Sequence, residues 1–253
     1  PLKENPAIDQ IIQSMSGLME LSGEPGSPAM RVGFPIVDTF TGLLASLAIT
    51  SALLQREKGG EGQYIDVAML DAALVMMMSV AGPYLVAGVK PAKTGNIGYS
   101  KSPTSSTFPT GEGEITLGVV RQDQFEALCE AIGRKDLPTD PRFSDRKLRT
   151  RNGDALREEI IRALSSRSAP DWEAHLNQAG VAAGAVRSLP EALAIDHLAH
   201  RSLTQPAGLA DNRDAVGPAM LADGNYSYER IGYLLADLAG RQALSVHLPE
   251  DRP

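Results

Sequence analysis

Few residues in this sequence have the types and spacing that chemistry needs, and the first of them is an aspartate. Asp38 follows the apolar Phe34-Pro35-Ile36-Val37 and stands where a helix over residues 39–58 should begin. Two roles fit that place. As an N-cap it would accept from N–H groups of the first turn. As a nucleophile it would use the same position differently: the helix end would keep the carboxylate ionised, and unpaired N–H donors beside it could stabilise an oxyanion formed as it attacks an acyl carbon. Gly42 would let a substrate approach the first turns. Position and residue type leave both roles open.

The other reactive types offer less. His175, His197, His200 and His247 have no spacing that places a metal set on one helix face, so no metal site is expected. His197 and His200 read as a surface helix end. The single Cys129 lies inside a helical pattern, which excludes a disulfide framework and a multi-thiolate centre and fits a reducing, cytoplasmic compartment. Neither a Gly-x-Ser-x-Gly elbow nor a Gly-rich phosphate loop is present. With 24 Lys and Arg against 31 Asp and Glu, the net charge of −7 repels polyphosphate, and no nucleic-acid partner is expected.

The elements that must position Asp38 follow from periodicity. Ile8, Ile11, Ile12, Met15, Leu18 and Met19 mark one helix over residues 7–21, ended by Ser22-Gly23-Glu24-Pro25-Gly26-Ser27-Pro28. Phe40, Leu43, Leu44, Leu47 and Leu54 mark a second helix that should lie in the core. Residues 63–70 alternate as a strand would, and run into an apolar helix from Asp71. Its uncharged stretch over residues 72–89 just reaches membrane-spanning length, but Gly82-Pro83 interrupts it and flanking stop-transfer charges are missing. A buried helix with a break is expected, and no membrane. A Gly-, Pro- and Ser-rich connection at residues 90–107 opens a small α+β unit. Gly111-Glu112-Gly113 should turn a hairpin, followed by helices at 122–132, 153–164 and 169–179 and a short strand at 185–187. The charged run at residues 146–151 reads as a solvated face.

Ordered motifs along the chain resemble the class III CoA-transferase family, which includes formyl-CoA and carnitine CoA-transferases and to which α-methylacyl-CoA racemases are related. They run from Ala7-Ile8-Asp9-Gln10 through Ser22-Gly23-Glu24-Pro25, Val37-Asp38-Thr39-Phe40-Thr41-Gly42 and Gly60-Glu61-Gly62-Gln63-Tyr64-Ile65-Asp66-Val67-Ala68-Met69-Leu70-Asp71. They continue through Gly95-Asn96, Phe108-Pro109-Thr110 and Asp140-Pro141-Arg142-Phe143 to Ala179-Gly180-Val181. The resemblance implies an α/β fold, part of a Rossmann-like large domain plus a small α+β domain. Residues 1–90 would belong to the large domain, 91–195 would form the linker and small domain, and 196–253 would return to the large domain.

By the same resemblance Asp38 is the acyl-accepting nucleophile, passing through an aspartyl anhydride and an aspartyl-CoA thioester. Met69, at the end of the expected strand, lines the CoA site, and Lys3 faces a CoA phosphate. Core packing for Met69 and plain solvation for Lys3 are the competing roles. CoA thioester is then substrate rather than a resident cofactor, and the partners are an acyl-CoA and a carboxylic acid. The racemase proton relay is not matched, because Ile8 stands at the histidine position and Gln122 at the glutamate position; Asp9 is left as an orienting or helix-starting residue. The chain starts without an initiator Met and reads as the continuation of something longer. An interlocked homodimer, or a partner chain supplying an N-terminal half, is therefore expected. Racemisation and a non-catalytic half-subunit are the alternatives to CoA transfer.

Overall fold

A computed structural model describes residues 5–200 of the chain. Lys3 and the segment 201–253, with His247, lie outside the described residues. The chain divides into two compact units, Pro1–Val186 and Arg187–Pro253.

The first unit opens with helices. α1 (Asp9–Met15) and α2 (Leu18–Leu21) replace the single expected helix. Gly17 between them has φ of +84°, a left-handed conformation that glycine adopts freely and that ends a helix. α3 (Ile36–Glu57) follows, then α4 (Met69–Met76) and α5 (Met78–Ala87). The alternating residues 63–70 form no strand. Alternation describes a chain that could pair, and an extended segment becomes a strand only where an edge is offered. Here α4 starts already at Met69.

The apolar run after Asp71 also departs from expectation. Its break falls at Met77, where α4 and α5 meet at 83°, while Pro83 lies inside α5. Proline removes the N–H that would have bonded the carbonyl four residues back. That carbonyl, of Ser79, instead accepts from the Tyr99 hydroxyl at 2.8 Å, so the helix passes the proline without an orphaned acceptor.

The small α+β unit has the expected hairpin and helices, but its last strand lies two residues before the expected 185–187 and the charged run at 146–151 is itself a helix. β1 (Thr107–Pro109), β2 (Glu114–Leu117) and β3 (Ala183–Ala185) form an antiparallel sheet in the order β1-β2-β3, with Phe108 opposite Ile115. The glycine turn joins the first two strands. α6 (Gln122–Ala131), α7 (Arg146–Arg151), α8 (Gly153–Leu164) and α9 (Ala169–Gln178) complete the unit. Phe108, Ile115 and Leu117 from the sheet meet Phe125, Leu128, Leu156, Ile160, Leu164, Trp172 and Leu176 from the helices in one dry core. Asp145 and Ser168 cap α7 and α9 from the adjacent position, as short polar residues do.

The charged run at α7 is not simply solvated. Arg149 is buried, donates to the Phe143 carbonyl at 2.9 Å and stacks 4.3 Å from the centre of the Phe125 ring. A guanidinium is weakly hydrated and planar, so it tolerates this where a lysine would not. The second unit contributes α10 (Leu189–Leu193) and α11 (Asp196–His200) to the described residues.

Candidate active site

Ile12, Val37 and Ala73 form a second buried cluster, against which Leu18, Ile36, Met69 and Leu70 pack. It ties the start of α3 to α1 and α4, and this is where Asp38 stands.

Asp38 is not the N-cap. α3 begins at Ile36, so Asp38 is its third residue, and the N-cap position belongs to Pro35, which has no side-chain acceptor. The first-turn N–H groups need a carboxylate from elsewhere, and Asp9 supplies it. Its Oδ2 accepts from the backbone N–H of Val37 at 2.8 Å and of Asp38 at 3.2 Å. Its Oδ1 accepts from the side-chain amide of Gln13, whose own Oε1 accepts from Val32 N–H at 2.9 Å. Asp9 is 8% exposed and Gln13 fully buried, so this network is sealed from water. Asp9 therefore both starts α1 and orients α3.

Two expectations about Asp38 change with that finding. Donors at the helix end are not free for an oxyanion: Val37 and Asp38 give theirs to Asp9, Ile36 bonds Phe34 and Thr39 bonds Pro35. Nor does the helix end lower the Asp38 pKa. Partial burial raises its pKa above the usual carboxylate value, and the Asp9 charge adds to the rise. The Asp9 carboxylate has taken up the positive potential of the helix terminus. The Asp38 side chain itself is half-buried and accepts no hydrogen bond from any described residue.

Met69 opens α4 instead of ending a strand, because the preceding segment pairs with no strand among the described residues; it is half-buried and packs on the cluster that holds Val37. Gly42 is exposed, with no atom within 4 Å of where a Cβ would stand. Ile8 is 58% exposed at the start of α1, and Gln122 is spent on Glu126 at 2.9 Å. His175 bonds the Ala131 carbonyl and lies edge-on to Trp172, a packing role, while His197 and His200 are exposed on α11. A shallow depression of about 510 Å³ lined by Ser51, Leu54, Gln55, Lys58, Gly59 and Gly60 sits at the far end of α3. Roughly 20 Å of helix separates it from Asp38.

α3 is the element furthest from expectation. It has 22 residues, a most apolar window of mean hydropathy 1.6, and 6% of that window buried. By length and composition it could cross a membrane. Val37 is its one buried residue, while Leu43, Leu47, Leu53 and Leu54 stand exposed. Apolar periodicity says that a face is to be covered, not which element covers it, and full burial is confined to Val37 at its start.

The model of the family described as CoA-transferase family III matches residues 1–227. The chain belongs to that family. It is 34% identical over 209 residues to an acetyl-CoA:oxalate CoA-transferase of Acetobacter aceti, covering 82% of this chain and 54% of that protein. A succinate–glutarate CoA-transferase of Agrobacterium fabrum is 30% identical over 233 residues, covering 91% of this chain and 58% of that one. Among solved structures, a CaiB/BaiF family protein from Brucella suis superposes with a TM-score of 0.72 at 30% identity, over 79% of this chain and 53% of its own. This family III chain thus spans about half the length of the curated relatives it matches.

Proposed function

We propose that the chain takes part in moving coenzyme A from an acyl-CoA thioester to a carboxylic acid, with Asp38 as the nucleophile. The observation that carries this reading is a carboxylate on a clamped backbone with no hydrogen-bond partner of its own among the described residues. A capping or ion-paired aspartate would have its lone pairs engaged. One that is partly desolvated and unpartnered keeps them for an electrophile.

Asp38 attacks the thioester carbon, the C–S bond breaks, and CoA thiolate leaves behind an aspartyl mixed anhydride. Thiolate then attacks the aspartyl carbonyl and releases the donor's carboxylate, which leaves an aspartyl-CoA thioester. The incoming acid attacks that carbonyl and expels CoA thiolate; thiolate in turn attacks the acceptor's acyl carbon and frees Asp38. Every step is acyl transfer with no net redox change; one Asp38 oxygen leaves with the donor's carboxylate and the acceptor acid supplies its replacement. Met69, on the cluster that holds Val37, would line the CoA site, and Lys3 would meet a CoA phosphate.

Relatives named for oxalate and for succinate and glutarate support small dicarboxylic acids as the acceptor class. The exposed apolar face of α3 supports an assembly in which a second copy, or a chain carrying the family's other half, covers it. The lone, buried Cys129 fits the cytoplasm. No observation favours epimerisation, since the Ile8 and Gln122 side chains cannot relay a proton.

Trapping tests the reading. Hydroxylamine added to the complete enzyme during turnover of an acyl-CoA should convert Asp38 to a hydroxamate, located by peptide mass. An unmarked Asp38 while acyl-CoA is consumed would remove it from the reaction.

A further inference from the structure

The segment that carries Asp38 is held at both ends by one helix. Gln13 of α1 accepts from Val32 N–H, and Asp9, one turn earlier, accepts from Val37 and Asp38 N–H. Between those grips lies the exposed turn Gly33-Phe34-Pro35, whose one side-chain hydrogen bond among the described residues is from the Thr39 hydroxyl to the Pro35 carbonyl at 2.9 Å. The two gripping side chains also bond each other, and both are buried. Buried polar groups in apolar surroundings are retained only when satisfied, and here every side-chain bond they make is to each other or to the backbone N–H of Val32, Val37 and Asp38, which flank the turn. The outcome is a fixed backbone under a side chain that nothing else holds.

We propose that Asp9 and Gln13 form a positioning pair for Asp38, setting where its carboxylate stands relative to the thioester carbon. The inference rests on Asp38 being the nucleophile. It assigns Asp9 no contact with substrate. The residue types are those the geometry requires: both Asp9 oxygens face donors, so an asparagine there would point its NH₂ at either the Gln13 amide or the backbone N–H groups. Gln13 must donate on one side and accept on the other. The pattern can be inverted, because in D9N/Q13E the asparagine oxygen would accept from Val37 and Asp38, its NH₂ would donate to the new glutamate, and the glutamate's other oxygen would accept from Val32.

The test compares D9N, Q13A and D9N/Q13E with the native protein in the complete enzyme, reading kcat, KM for acyl-CoA, melting temperature and the rate of hydroxamate formation at Asp38. D9N should lower kcat by about tenfold to a hundredfold, the scale of a misplaced reacting group, and leave KM within about twofold. Q13A should fall in the same direction, and D9N/Q13E should recover to within about threefold of the native kcat with its melting temperature restored. A merely structural role would lower the amount of folded enzyme but not the kcat of the folded fraction. If D9N does not fold, Q13A and D9N/Q13E carry the comparison. Native kcat in Q13A, or a fully folded D9N/Q13E as slow as D9N, overturns the proposal. So does native-rate trapping of Asp38 in D9N. Absence of trapping in the native enzyme would instead refute the nucleophile reading beneath it.

Discussion

Replacing Asp38 by alanine and by asparagine separates the two roles its position suggests, because alanine would remove a cap that asparagine keeps, while both remove the nucleophile. An N-cap lost to alanine costs about 0.5–2 kcal/mol. In the structure that term is zero: Asp9 makes the capping bonds, and Asp38 accepts none. Favourable interaction of a carboxylate with the helix end is worth about 0.3–1 kcal/mol at most, and Asp9 already neutralises that end. Against it stand burial and the like charge of Asp9, which raise the Asp38 pKa. A carboxylate whose folded pKa is raised adds stability at pH below its unfolded value, and that contribution is lost as pH rises through the folded value. D38N should therefore match the native protein near pH 3, and at neutral pH have a melting temperature unchanged or raised. In the complete enzyme the same variant should lose CoA exchange by at least about a thousandfold. Differential scanning calorimetry from pH 3 to 8 and an exchange assay with labelled CoA supply the two readouts. A melting temperature lowered by several degrees in D38A but not in D38N would restore the cap role, and substantial exchange activity in either variant would refute the nucleophile.

The acidic limb of the kcat/KM profile should lie above the ordinary aspartate range of about 3.9, because the nucleophile must be ionised and its pKa is raised. D9N/Q13E, which moves the Asp9 charge one side chain further from Asp38, should shift that limb to lower pH; Asp71 in the first turn of α4 and Arg31 before the turn are exposed and unchanged in the comparison. A limb that stays in place would show that Asp9's charge does not reach Asp38. Cys129 should resist alkylation in the folded protein, since burial pushes its thiol up to about 12. Iodoacetamide labelling at pH 7.5, followed by mass spectrometry, should proceed only as fast as the small unit opens, and rapid native-state labelling would contradict its burial among Phe125, Leu128 and Ile132.

The small unit could be read from sequence because its partners are close along the chain and all present. Phe108 and Ile115 pair across a glycine turn, their alternation faces one core, and the helices that cover them carry their caps beside them at Asp145 and Ser168. The first helices were legible in type but not in context. Leu43, Leu47 and Leu54 repeat at helical spacing whether or not anything covers them, so the helix was evident and its burial was not. Residues 63–70 carry strand alternation without an edge to join. Arg149 shows the same limit for polar groups: its guanidinium is buried by Phe125 and Phe143, which sequence spacing does not bring to mind.

The site failed to be legible for a more specific reason. Rules for helix starts look for the cap next to the helix, and at α3 that place holds Pro35, so the nearest aspartate inside the helix drew the role. The true cap comes from 28 residues earlier, through a bond that no local pattern encodes. That separation has a chemical consequence. A local cap ties its own side chain to the backbone it serves, and so withdraws its lone pairs from reaction. A cap lent by α1 leaves Asp38 in the first turn with its backbone fixed and its carboxylate unengaged, which is the division of labour that a preorganised nucleophile requires. Partial burial first, and the charge of Asp9 second, make Asp38 more basic, so a helix start that would favour a capping anion leaves this carboxylate poised for a proton or an electrophile.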